Sequence, residues 1–184
     1  MSNNNWVGIW ADTETTGINP FLGEKLLEVA CFITDPDGNF FDEEGYHAVI
    51  RYTPEEVEEL KKKTDPYVVN MHTVSGLWDL LPEGKPLELV EQELLAYIQK
   101  FVKEPKFGRL AGNSVRLDFN FIDKFLPKVS EYLHYRVIDV STLRAVADEW
   151  LDGFEHDKPT PHEAKADILL SIGEYLAIKK AMGF

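Results

Sequence analysis

The sequence predicts an α/β domain with a mixed sheet, an antiparallel meander extended by parallel strands and flanked by helices. Three observations lead there. Three short apolar, β-prone segments come first and are separated by turn signals. A stretch of helical composition follows, and short strand candidates then alternate with helices. At 184 residues the chain has the size of one globular domain, and without an internal repeat or low-complexity linker residues 1–184 read as a single domain.

Taken in order, Trp6 to Ala11 is apolar and β-prone and ends at Asp12, a first strand. Leu26 to Thr34 is a second, followed by the turn signal Asp35-Pro36-Asp37-Gly38. Tyr46 to Tyr52 makes a third, with β-branched and aromatic residues around Arg51. Thr53-Pro54-Glu55-Glu56 then gives an N-cap, a proline at the first helical position and acidic residues in the first turn. Leu87, Val90, Leu94, Leu95, Ile98 and Phe101 recur at helical spacing and predict an amphipathic helix. Arg109 to Asn113 is a short strand, followed by helix from Val115 to Leu126. Val137 to Val140 is another strand, a helix starts at Ser141, and the last helix starts at Pro161.

Composition narrows the function. No apolar run approaches the ~20 residues of a membrane span, and the polar start Met1-Ser2-Asn3-Asn4-Asn5 has no signal-peptide core. No membrane association is expected. The only cysteine, Cys31, cannot form a disulfide within the chain and falls in an apolar run. A cytoplasmic setting and a core role for this thiol are the expectations. The net charge of −13 argues against binding long duplexes, which need a basic face. The one dense basic run, Lys61-Lys62-Lys63, follows glutamates and reads as a solvated helix end. An enzyme that holds one or two phosphates through metal ions needs no such face.

Three acidic pieces carry the chemistry. In Asp12-Thr13-Glu14-Thr15-Thr16-Gly17, side chains two apart share a face, so Asp12 and Glu14 project together and repel unless a cation compensates them. Gly17 permits a turn that calls for positive φ. The plain alternative is a polar strand end running into a loop. Asp118 lies in the first turn of a helix after Gly112-Asn113-Ser114, where the helix dipole alone accounts for an aspartate. In Pro161-His162-Glu163-Ala164-Lys165-Ala166-Asp167, the last piece, His162 and Asp167 converge if the histidine sits in the helix entry and the aspartate one turn inside.

Together, Asp12-x-Glu14, Asp118 and His162-x4-Asp167 resemble the DEDDh exonuclease family, which has a ribonuclease-H-like fold. The resemblance spans nearly the whole chain. Within the family the sequence looks most like the oligoribonucleases, on Gly112-Asn113-Ser114, His134-Tyr135-Arg136, Asp139-Val140-Ser141-Thr142-Leu143 and Met71-His72-Thr73-Val74-Ser75-Gly76-Leu77. It implies a 3′→5′ exonuclease acting on short single-stranded RNA down to dinucleotides and releasing nucleoside 5′-monophosphates. Asp12, Glu14, Asp118 and Asp167 are then the ligands of two Mg²⁺ ions, with Mn²⁺ able to substitute, and His162 is the general base.

The same resemblance implies a substrate set. Ile18 matches an apolar residue that wedges against the terminal bases, Tyr67 stands where tryptophan is usual, and His72 matches a substrate-contacting histidine. Ser114, Ser141 and Thr142 offer hydroxyls to a 5′ phosphate. Tyr135 and Arg136 match residues that reach in from a second subunit, implying a homodimer. Each has a duller role open to it: a helix cap for Ser141 and Thr142, core packing for Ile18 and Tyr67, an ion pair for Arg136. Two readings compete at the level of function. The Thr-Glu-Thr-Thr-Gly form of the first motif looks more like a proofreading or repair DNA exonuclease. A catalytically silent interaction domain is the other, although every ligand position is filled.

Overall fold

β1 (Val7–Thr15) is the strand around which the rest is organised. In this computed structural model, residues 6–151 and 164–184 are described. Alternate side chains of a strand point to opposite faces, and β1 is apolar on both as far as Ala11. Ile9 and Ala11 enter one core and Trp10 another. The Trp10 indole N–H donates to Thr34 Oγ1 at 2.8 Å, which satisfies the one polar atom this ring buries.

β2 (Leu26–Thr34) runs antiparallel to β1 in register from Gly8↔Thr34 to Glu14↔Glu28 and shifts by one residue before Thr15↔Leu26, and β3 (Tyr46–Val49) runs antiparallel to β2. On the other side of β1 lie β4 (Gly108–Gly112) and β5 (Ile138–Asp139), both in parallel pairing. Among the described residues the sheet order is β3-β2-β1-β4-β5. The expected meander and parallel extension are both present.

Helices cover the sheet on both faces. The chain between β3 and β4 forms α1 (Pro54–Lys63), α2 (Pro66–Val74), α3 (Leu77–Leu80) and α4 (Leu87–Phe101). After β4 come α5 (Arg116–Phe125) and α6 (Pro127–Tyr132), and after β5 come α7 (Val140–Trp150) and α8 (Ala164–Ala181). Val90, Leu94 and Ile98 of α4 and Phe121 and Ile122 of α5 pack on Ile9, Val29, Ile33 and Leu110. On the opposite face Val140 and Ala147 of α7 and Ile168 and Ile172 of α8 pack on Trp10, Ala30 and Ala111. Each such buried aliphatic side chain contributes about 1.5–3 kcal/mol. Cys31 is fully buried in the first of these cores, and burial pushes its thiol pKa far up. Among the described residues no helix is long and apolar enough to cross a membrane.

Local signals explain most boundaries. α1 has the full capping box, with Thr53 and Glu56 exchanging side-chain and backbone bonds. β1 is longer than its apolar run, because β2 supplies a partner all the way to Thr15. β3 is shorter than expected: Arg51 N–H donates to the Lys85 carbonyl and Lys85 N–H to that of Val49, both at 2.8 Å, so the chain pairs there with the segment before α4. α7 begins at Val140, with Asp139 rather than Ser141 as its N-cap. The start of the last helix near Pro161 lies outside the described residues.

Candidate active site

β4 pairs with β1 only as far as Trp10↔Ala111, while β1 continues to Thr15. The last residues of β1 therefore stand beyond their parallel neighbour, and helices from both faces close on them. Asp12 and Glu14 share the face that carries Trp10, and α8 brings Asp167 to it. Ligand oxygens of Asp12, Glu14 and Asp167 all lie within 4.8 Å of one another. Thr13 points the other way, towards α5. Its backbone N–H and its hydroxyl both donate to Asp118 Oδ1, at 2.9 and 2.7 Å. Asp118 thus stands outside the tight group of three but borders the same cleft as Asp12, a space of about 190 Å³ that Ile18, Asn113 and Leu117 also line.

The electrostatics are those of a site made for positive charge. Burial, then Asp12, Glu28, Asp167 and Asp118, push the Glu14 carboxyl up to about 9. Glu28 sits directly opposite Glu14 in the ladder, and like charges so placed destabilise a sheet. Glu28 in turn pairs with His47 on β3. Both line a neighbouring cavity of about 250 Å³ together with Ser75 and Leu77. Burial raises Asp118 to about 7, against the opposing pull of the two Thr13 hydrogen bonds.

Behind this cluster lies His72, in the last turn of α2, only 1 % exposed. Its Nε2 is 2.8 Å from the Thr15 carbonyl oxygen, which only accepts, so Nε2 carries a proton. Nδ1 lies 3.8 Å from Glu14 Oε2, and the ring meets Trp78 edge-on.

Gly17 leads into the turn after β1, and the positive φ expected of it is not found; its φ lies outside that range. The requirement is space instead. A Cβ there would fall 2.2 Å from the Glu24 carboxyl carbon. Glu24 accepts a hydrogen bond from the Asn19 amide and so braces the turn that holds Ile18 outward, 72 % exposed. Tyr67, on the first turn of α2, is 70 % exposed, and Tyr135 is 74 % exposed. The Tyr135 ring stacks on His134 with centroids 4.5 Å apart, and the Arg136 guanidinium lies 5.4 Å from its centre.

The hydroxyl set gathers where β4 ends. Ser114 adopts a left-handed backbone, φ 51°, and its N–H donates to Ser141 Oγ at 2.8 Å. The two hydroxyl oxygens are 3.2 Å apart, and Ser141 Oγ donates to Asn113 Oδ1. Asn113 is held in turn by Ser171 and by the buried Glu174, which pairs with Arg144. The N–H groups of Ser141 and Thr142 both point at Asp139 Oδ1, so these residues receive the helix cap rather than provide it. His162 lies outside the described residues. Thr13, Glu24 and Glu28 were not singled out in the sequence; Glu24 acts within its own turn, on the Asn19 amide, while Thr13 and Glu28 have partners that no local spacing connects.

Comparison with known proteins agrees with this geometry. The RNase_T family, described as Exonuclease, matches residues 9–175. The oligoribonuclease of Tropheryma whipplei is 40% identical over 169 residues, covering 90% of this chain and 88% of that protein. A probable oligoribonuclease of Schizosaccharomyces pombe is 38% identical over 178 residues, covering 95% of this chain and 68% of the relative. Among solved structures, E. coli exonuclease I in complex with a dT13 oligonucleotide superposes with a TM-score of 0.69 at 14% identity, over 96% of this chain and 41% of that one. The present chain thus spans well under half of exonuclease I. A zinc-bound form of the E. coli exonuclease I complex with single-stranded DNA gives a TM-score of 0.66 at 16% identity, again over 96% and 41%. The fold is ribonuclease-H-like.

Proposed function

Because the chain belongs to the RNase_T exonuclease family, among the oligoribonucleases, we propose that this 3′→5′ exonuclease removes nucleotides from very short RNA, down to dinucleotides. The observation that carries the short-substrate reading is the Ser114–Ser141 pair. Two hydroxyls lie 3.2 Å apart beside the cleft and are braced by Asn113, a polar end wall suited to a 5′ phosphate. An open groove for a long strand would have no use for such a wall.

The acidic cluster fits divalent cations. Its donors are all hard carboxylate oxygens, and a dication offsets both the burial and the mutual repulsion that raise Glu14. Asp12, Glu14, Asp118 and Asp167 would hold two Mg²⁺, or Mn²⁺ in their place. Such ions supply charge for the scissile phosphate, acidity for the attacking water and stabilisation of the leaving 3′ oxygen.

The protein's own groups do the rest. His162 takes the proton from the attacking water as general base. The water oxygen attacks the terminal phosphodiester in line, the bond to the 3′ oxygen breaks, that oxygen takes a proton from solvent to become the new 3′ hydroxyl, and a nucleoside 5′-monophosphate leaves. Ile18 wedges against the bases, and Tyr67 stacks on one of them, a contact of about 1–3 kcal/mol. Thr142 joins the two serines at the 5′ phosphate, and His72 supports the substrate end of the site from beneath Glu14. Tyr135 and Arg136, exposed as they are, fit an interface in which each subunit of a homodimer completes the other's site.

A Mg²⁺-dependent cleavage assay on a 5′-labelled RNA dinucleotide, an RNA heptamer and a long single-stranded DNA tests the reading. Rapid loss of the dinucleotide with slow loss of the others is expected. Fast processing of the DNA would replace it with an open-groove DNA exonuclease.

A further inference from the structure

Asp118 is tied to β1 by a contact that spans 105 positions of sequence, made by a residue inside the first acidic motif itself. Because β4 stops short, the amide of Thr13 has no strand to pair with on that side, and Asp118 Oδ1 takes its hydrogen at 2.9 Å. The Thr13 hydroxyl reaches the same oxygen at 2.7 Å. Strand alternation explains why this residue serves Asp118 while its neighbours serve the other group. Thr13 has the opposite parity to Asp12 and Glu14, so it faces α5 when they face α8. A threonine side chain is also stiff at χ1, which fixes the direction of the hydroxyl once the strand is set.

We infer that Thr13 is a positioning residue that orients Asp118 for cation binding, occupying one carboxylate oxygen with two hydrogen bonds and leaving the other for the ion. The inference rests on Asp118 being a cation ligand, and goes beyond that reading in giving a motif residue with no carboxylate a part in metal affinity. Partners that hold metal ligands from behind change affinity by roughly 10–100-fold when lost. Removing the hydroxyl leaves the amide bond intact, so an effect near the lower end is expected.

The test is calorimetric titration of the whole protein with Mn²⁺ alone, supported by the Mn²⁺ dependence of activity. Thr13→Val and Thr13→Ala, which both lose the donor, should raise the Mn²⁺ dissociation constant by about 10-fold. The concentration for half-maximal activity should rise in step, while kcat at saturating Mn²⁺ stays close to wild type. Thr13→Ser, which keeps the donor, should restore the affinity. A merely structural tie would lower the unfolding temperature of the variants and leave the dissociation constant alone; that result overturns the inference. Asp118→Asn separates the two levels. If it weakens Mn²⁺ binding while Thr13→Val and Thr13→Ala do not, the positioning role fails by itself. If Asp118→Asn also binds as wild type does, the ligand assignment falls and the positioning role falls with it.

Discussion

Glu14 should make the metal-free protein less stable as the solution becomes more alkaline. In the folded chain its carboxyl holds a proton up to about 9, against an ordinary value of 4.5. Between those two pH values the native state binds more protons than the unfolded state, so stability falls as pH rises through the window. Stability from this group is fully present below about 4.5 and is lost progressively towards 9. Each unit corresponds to about 1.4 kcal/mol, so the step from pH 5.5 to 8 removes about 3 kcal/mol. With a urea dependence of about 1–3 kcal/mol per molar, the midpoint should drop by roughly 1–3 M. The assay is urea unfolding in EDTA at the two pH values, followed by tryptophan fluorescence, on wild type and Glu14→Gln. The amide cannot titrate, so the variant should lack about 3 kcal/mol of the wild-type slope. Saturating Mg²⁺ at pH 8 should recover the wild-type midpoint and leave the variant little changed. Equal slopes in wild type and Glu14→Gln would refute the claim that burial and the neighbouring carboxylates hold a proton on Glu14.

Three further outcomes follow from the same structure. His162→Ala should unfold at the wild-type temperature and turn over no substrate; wild-type rates in a folded variant would remove the general-base assignment. Gly17→Ala would drive a Cβ into the Glu24 carboxyl and release its bond to the Asn19 amide. Loss of one charge-assisted bond should lower stability by about 1.5 kcal/mol and raise the dinucleotide KM, and an unchanged KM would show that the turn bearing Ile18 does not position substrate. Leu110 of β4, fully buried in the core that holds Ile9 and Phe121, should cost about 2–5 kcal/mol when cut to alanine. A loss well below that in urea unfolding would mean the core closes over the gap.

Elements with a local chemical signature were legible. Leu26–Thr34 is a strand to the residue because an apolar run ends in a turn signal, and α1 announces itself through Thr53 and Glu56. α4 follows from its spacing, with the expected Leu87–Phe101 bounds. What could not be read was decided at a distance. β1 extends through Asp12-Thr13-Glu14-Thr15 because β2 lies beside it, although those residues alone look like a loop. α2 carries Val68, Val69 and Val74, which disfavour helix locally, and α3 and α6 are too short to show a period. The convergence of Asp12, Glu14 and Asp167 was implied by the family resemblance rather than by any one acidic motif, and the structure brings these three carboxylates together. The burial of His72 was not, since it depends on Trp78 and Thr15 closing around the ring. Glu28 was hidden in an apolar strand, and only the register sets it across from Glu14.

β1 is a party wall. Ile9 and Ala11 belong to the room on one side, with α5 and Asp118; Trp10 belongs to the room on the other, with α8 and Asp167. The carboxylates therefore hang from two separately furnished interiors that meet at a single partition. Loosening either interior, by warming or by a substitution at Phe121 or Ile168, swings one jaw of the calliper and leaves the other where it was. An enzyme built this way should lose activity before it loses its fold, and variants in the two rooms should impair it by the same route without ever touching one another.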